Sequence, residues 1–113
     1  MQSSALYSMT LQSLVGLRNE MVTSDWIDAV NALPNPNDQI RAQATAFKVE
    51  HAIQVLSNAA LSDIADQMVA QQAAITAATT ELKDSLGDLT KLTNILDDVT
   101  QVLTVVGQIV SLA

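Results

Sequence analysis

The side chains able to do chemistry are few and far apart. His51 is the only histidine, and cysteine is absent. A zinc site gathers three or four nitrogen, sulfur or carboxylate ligands, and one imidazole with no thiolate does not begin such a set. Helical di-iron bundles place a glutamate three residues before each of two histidines, and the residue at that spacing here is Lys48. As a general base, His51 would need a nucleophile delivered by the fold. Ser57 or any of ten threonines would serve equally, so the chain singles out no pair.

The carboxylates offer Asp63 with Asp66, Asp84 with Asp88, and Asp97 with Asp98. The first two pairs are one helical turn apart and could share a cation or a proton. No calcium-loop pattern accompanies them, and the expectation is a solvated helix face or acids near helix starts. Three glycines, Gly16, Gly87 and Gly107, are too dispersed to build a phosphate-binding loop. The chain is therefore expected to have no catalytic, cofactor-binding or metal-binding residues, and not to be an enzyme.

Composition sets the frame for the elements. Of 113 residues, 49% are hydrophobic and only 15% charged, against roughly 25% charged in an average globular domain. That balance opposes intrinsic disorder and leaves much of the surface to uncharged Thr, Ser, Gln and Asn. Twelve acids against five bases give a formal charge of −7, which disfavours nucleic acid and anionic membrane surfaces as partners. No basic residue precedes Arg18, and Ser3, Ser4, Ser8, Thr10, Gln12 and Ser13 interrupt the apolar positions, so no secretory signal is read. A cytoplasmic location is the default expectation, with signal-independent secretion as the other route. The charge-free stretch Val99 to Ala113 falls short of the roughly 20 residues a bilayer span needs.

Helix formers dominate and punctuation is scarce, so the whole chain reads as one all-α domain over residues 1–113. A helical arm, 3–33, is expected to carry Leu6, Leu14, Leu17 and Met21 on one face. Thr23-Ser24-Asp25 offers caps for a short second helix beginning at Trp26. Pro34 and Pro36 make the turn 34–37, and Asn37 is the expected cap of a long helical segment, 38–113. Ile40, Ala44, Phe47, Ile53, Leu56 and Ala60 are its expected first apolar stripe. Weak breaks fall near 57–62 and 87. Tyr7, Trp26 and Phe47 are expected in the core, with Trp26 anchoring one end of a helical hairpin.

The strongest pattern begins at Leu61. Every seventh residue gives Leu61, Met68, Ile75, Leu82, Leu89, Leu96, Leu103 and Val110, all apolar. The companion position gives Ile64, Gln71, Ala78, Ser85, Leu92, Val99, Val106 and Ala113. This is the pattern of helices packing knobs into holes. The register continues through Gly87, which favours a kinked or continuous helix there over a reversal, although Asp88 could cap a new helix. Ile95, Val102 and Ile109 widen the stripe near the C-terminus, implying more than one neighbouring helix. A straight helix from Leu61 onward would extend ~80 Å. A chain-long helical hairpin or bundle completed by oligomerisation is therefore expected. Its contact seam would be Leu61, Ile64, Met68, Ile75, Leu82, Leu89, Leu92, Leu96, Val99, Leu103, Val106 and Val110, with Gln71 and Ser85 as polar residues setting register. The uncharged stretch from Val69 to Thr80 adds a small-residue surface suited to a helical neighbour.

These features point to a non-catalytic assembly or adaptor protein, working by coiled-coil-like packing with itself or with a helical partner. The alternative is a lipid-interacting protein that inserts Val99–Ala113 shallowly or opens to expose its stripe. Against it stand the acidic balance and the lack of Lys, Arg or Trp beside that segment.

Overall fold

Local cap chemistry decides where the second and third helices begin. The computed structural model describes residues 2–112. Helix α1, Ser3–Met21, ends at Val22. The Thr23 hydroxyl accepts the Trp26 backbone N–H at 3.3 Å and donates to the Glu20 carbonyl at 2.7 Å, closing one helix and opening α2, Ser24–Asn31. The next cap is Asn35 rather than the expected Asn37: its side chain accepts the Asn37 N–H at 2.9 Å. The physical reason is Pro36, whose fixed φ and missing donor suit the first turn of a helix. Gln39 adds a clamp, its amide donating to the Leu33 carbonyl at 2.9 Å.

Helix α3, Pro36–Asn58, is followed by α4 (Leu61–Ala70), α5 (Gln72–Ser85), a short 3₁₀ turn (Leu89–Lys91) and α6 (Leu92–Ile109). The expected long segment is thus broken three times, and the molecule's greatest dimension is 44 Å instead of ~80 Å. Ala59 and Ala60 are extended, with ψ of 137° and 126°, which swings α4 back onto α1. Gln71 is a bend and not a stop. Its N–H still reaches the Gln67 carbonyl at 3.0 Å and its carbonyl still accepts from Ile75 at 2.9 Å.

The reversal lies at Leu86–Asp88, correcting the expected passage of the helix through Gly87. Asp88 adopts φ −139°, ψ 92°, and its carboxylate accepts the Thr90 N–H at 3.1 Å and the Thr90 hydroxyl at 2.5 Å. Gly87 contributes no unusual backbone: among the described residues none has positive φ. The heptad count survives the turn because α5 and α6 then pack antiparallel, each presenting its stripe to the other. α6 also lies against α3 and α4, which is why its stripe is wide enough to bury Ile95, Val102, Val105 and Ile109 as well as Leu92, Leu96, Val99 and Val106.

The remaining core comes from α1, whose Leu6, Leu14, Leu17 and Met21 are buried as expected, against α3 and α4. Thr10 and Thr79 enter that core by turning their hydroxyls to the carbonyls of Leu6 and Ile75, each at 2.7 Å. α3 corrects the expected stripe. Its inner face is Ala42, Thr45, Val49, Ala52, Ile53 and Leu56, while Ile40, Ala44, Phe47 and Ala60 lie outside. The small residues of the inner face let α3 approach α1 closely, and the six form a longer unbroken i, i+3, i+4 row than the one beginning at Ile40.

Candidate interaction surface

The seam expected to receive another molecule is covered by the chain's own helices. Ile64, Met68, Ile75, Leu82, Leu92, Leu96, Val99, Val106 and Val110 are all buried. Leu61, Leu89 and Leu103 are half-buried at its edges. The two polar seam residues take local roles. Gln71 is half-buried at the α4–α5 bend, and the half-buried Ser85 donates its hydroxyl to the Asp98 carboxylate across the α5–α6 hairpin. The C-terminal residue of the companion position, Ala113, lies outside the described residues. Folding the stripe back on itself explains the difference. An antiparallel pair satisfies two heptad-patterned faces at once, so a seam of this length needs no outside helix.

The residues that might have formed a reactive centre are dispersed. His51 is exposed on α3, Asp63 and Asp66 are exposed on α4, and Asp84 and Asp88 are exposed around the reversal. Asp97 is engaged by Arg41 at 2.7 Å. Among the described residues no three His, Cys, Asp or Glu side chains gather as metal ligands. Among the same residues, no helix is long and apolar enough to cross a membrane. Tyr7 is structural: its hydroxyl donates to the Leu56 carbonyl at 3.0 Å, tying α1 to the end of α3.

The Asp88 carboxyl is held below its ordinary range. The Thr90 hydroxyl contributes most, then the Thr90 backbone N–H, with a smaller contribution from Lys91. Because the folded carboxyl titrates below the unfolded one, the stabilisation is fully present above the unfolded value near 4 and disappears as pH falls through the lower, folded value. Replacing Asp88 with Asn is expected to lower the melting temperature at neutral pH. The difference from the native protein should shrink in acid melts below pH 4. A gap that stays constant with pH would remove the carboxylate from this role.

What the surface does offer is apolar. Phe47 is 80% exposed and Ile40 63%, and with Ala44 between them they form one row along the outward side of α3. Val22 and Ile27 are exposed around the α1–α2 junction. The signal for the α3 row is present in the sequence. Two apolar rows compete on this helix, and only the one without Ile40 and Phe47 runs unbroken into Ile53 and Leu56. On another side, the bend at Gln71 leaves an open concavity of about 760 Å³ along the outer face of α4 and α5, lined by Val69, Ala70, Ala73, Thr76 and Ala77, with Glu81 and Asp84 at one end. A second groove of similar size, about 770 Å³, runs between α1 and α5 over Met9, Gly16, Leu17 and Leu86. No family model, curated protein or solved structure matches the chain, so these surfaces are read from their own residues.

Proposed function

We propose that this is a non-catalytic helical assembly protein, which packs its outward helix faces against helices of other molecules, copies of itself first. The observation that carries this reading is the exposed row Ile40–Ala44–Phe47. A phenylalanine standing in water on a helix whose opposite face is already buried contributes nothing to the monomer, yet covering it is worth roughly 1.5–3 kcal/mol. The low charge of the chain supports the same reading, since few desolvated ions oppose contact. In place of the buried seam, the contact residues become Ile40, Ala44 and Phe47.

Light scattering across a concentration series tests it. The molar mass is expected to rise above 12.0 kDa with concentration. Phe47→Ala should shift that rise to about 10–100-fold higher concentration, the factor that corresponds to the burial energy above. The same substitution should leave thermal stability within about 0.5 kcal/mol, as expected of an exposed position. A mass constant at 12.0 kDa over the whole range would overturn self-assembly.

A further inference from the structure

We propose that copies of this chain associate head to tail, the outward row of α3 on one molecule seating Phe47 and Ile40 in the alanine-lined concavity of α4 and α5 on the next. This rests on the assembly reading above and names its two complementary surfaces. Shape is the first argument. The row presents large side chains as knobs, Phe47 80% and Ile40 63% exposed. The concavity, shallow and wide open, presents the small side chains of Ala70, Ala73 and Ala77 along about 760 Å³, and Val69 beside them is itself 50% exposed. Small residues let two helix backbones approach closely, as knobs-into-holes packing requires.

Charge is the second argument and selects the pairing. A chain with a net charge of −7 repels its copies unless bases meet acids where they touch. Lys48 adjoins Phe47 and His51 stands one turn further along α3. Among the described residues Lys48 makes no ion pair, and neither do Glu81 and Asp84 at the end of the concavity. Row on concavity brings Lys48 toward these acids, whereas row on row offers it Glu50, which already pairs with Arg18. Opposite charges at the rim of an apolar contact steer and orient it.

Placement supplies the third argument. α3 packs on α1, α2 and α6, and α5 packs on α6 and α1, so the two surfaces are on different sides of one molecule. A contact between unlike surfaces is heterologous. It continues from copy to copy as an open row unless the rotation happens to close a ring.

Two exposed substitutions test the pairing, Phe47→Asp in the row and Ala77→Arg in the concavity. Each variant alone is expected to stay at 12.0 kDa at concentrations where the native chain grows. Mixed in equal amounts they should form a species of twice that mass and nothing larger, because the first keeps an intact concavity and the second an intact row. Melting curves matching the native protein establish that both are folded; should Ala77→Arg melt early, Ala73→Arg replaces it. A mixture that stays monomeric, or variants that assemble as the native chain does, overturns the pairing while leaving the assembly reading in place. A native chain that never exceeds 12.0 kDa overturns both.

Discussion

Leu96→Asp is expected to unfold the monomer. Leu96 is 0% exposed in the second turn of α6, the helix that packs on α5, α3 and α4. Deleting the side chain down to alanine removes its transfer energy and leaves a cavity, a cost of about 2–5 kcal/mol. An aspartate there adds an unpaired carboxylate in an apolar interior, which either ionises against a heavy desolvation penalty or stays protonated without a partner. A domain of this size has only about 5–15 kcal/mol in total. Far-ultraviolet circular dichroism should show Leu96→Ala folded with a lowered urea midpoint, and Leu96→Asp without a cooperative transition. The comparison with Phe47 sharpens the point, because removing the larger aromatic ring from α3 should leave folding nearly untouched. An unperturbed midpoint in Leu96→Ala would mean that the inward face of α6 at Leu96 is not the core of this molecule.

The second large effect is expected from Trp26→Ala. Trp26 is 3% exposed, seated among Met21, Val30, Ala42 and Ala46 where α2 closes over α3. Nothing else as large fills that corner, so truncation should cost about 3–5 kcal/mol. The same residue reports on its own environment, being the only tryptophan. Native emission should lie to the blue and move to the red in the urea transition that dichroism detects. A native spectrum already at the wavelength of exposed indole would place Trp26 in water and cancel the expected loss.

Much of the architecture is readable from residue types alone. Low glycine and proline content, the caps around Thr23, the turn at Pro34–Pro36 and the apolar face of α1 all lead directly to observed helices. The heptad positions and the widened stripe mark most of the core of the C-terminal half, with Leu61, Leu89 and Leu103 at its margins, whereas the buried Thr79 and Val105 fall outside both. Partner and path were not readable. Periodicity records which face of a helix is apolar, and it is indifferent to whether the covering helix comes from the same chain or another. Ala59 and Ala60 are at ease within helices, so that break is marked only weakly, by the preceding Ser57-Asn58, and Gln71 carries no local signal at all; tertiary packing against α1 sets both. The reversal at Leu86–Asp88 has its sequence signal in Asp88 as a possible cap, but the uninterrupted seven-residue count masks it.

The outward surface was the hardest part to read. Ile40, Ala44 and Phe47 recur at helical spacing and so resemble core, and Phe47 is the largest side chain on α3. The competing face of smaller residues won because close approach to α1 and α6 favours alanine and valine over bulk. Residue size is thus a poor guide to which of two apolar rows a helix hides.

Every connection between the helices is built from backbone angles that any ordinary amino acid adopts, since no described residue has positive φ. Where no side chain caps the chain, as at Ala60 and Gly87, the corners therefore impose few demands on residue identity, and a β-carbon added at Gly87 would meet only the Asp84 carbonyl oxygen at 3.5 Å, an ordinary contact. Selection for folding acts on the interior and on the capping residues Thr23, Asn35 and Asp88, leaving the other linker positions free to drift as long as the apolar faces and their lengths are kept. A combinatorial library randomised at the exposed Ala60 and Gly87 should accordingly return many folded clones, whereas one randomised along α6 should return few.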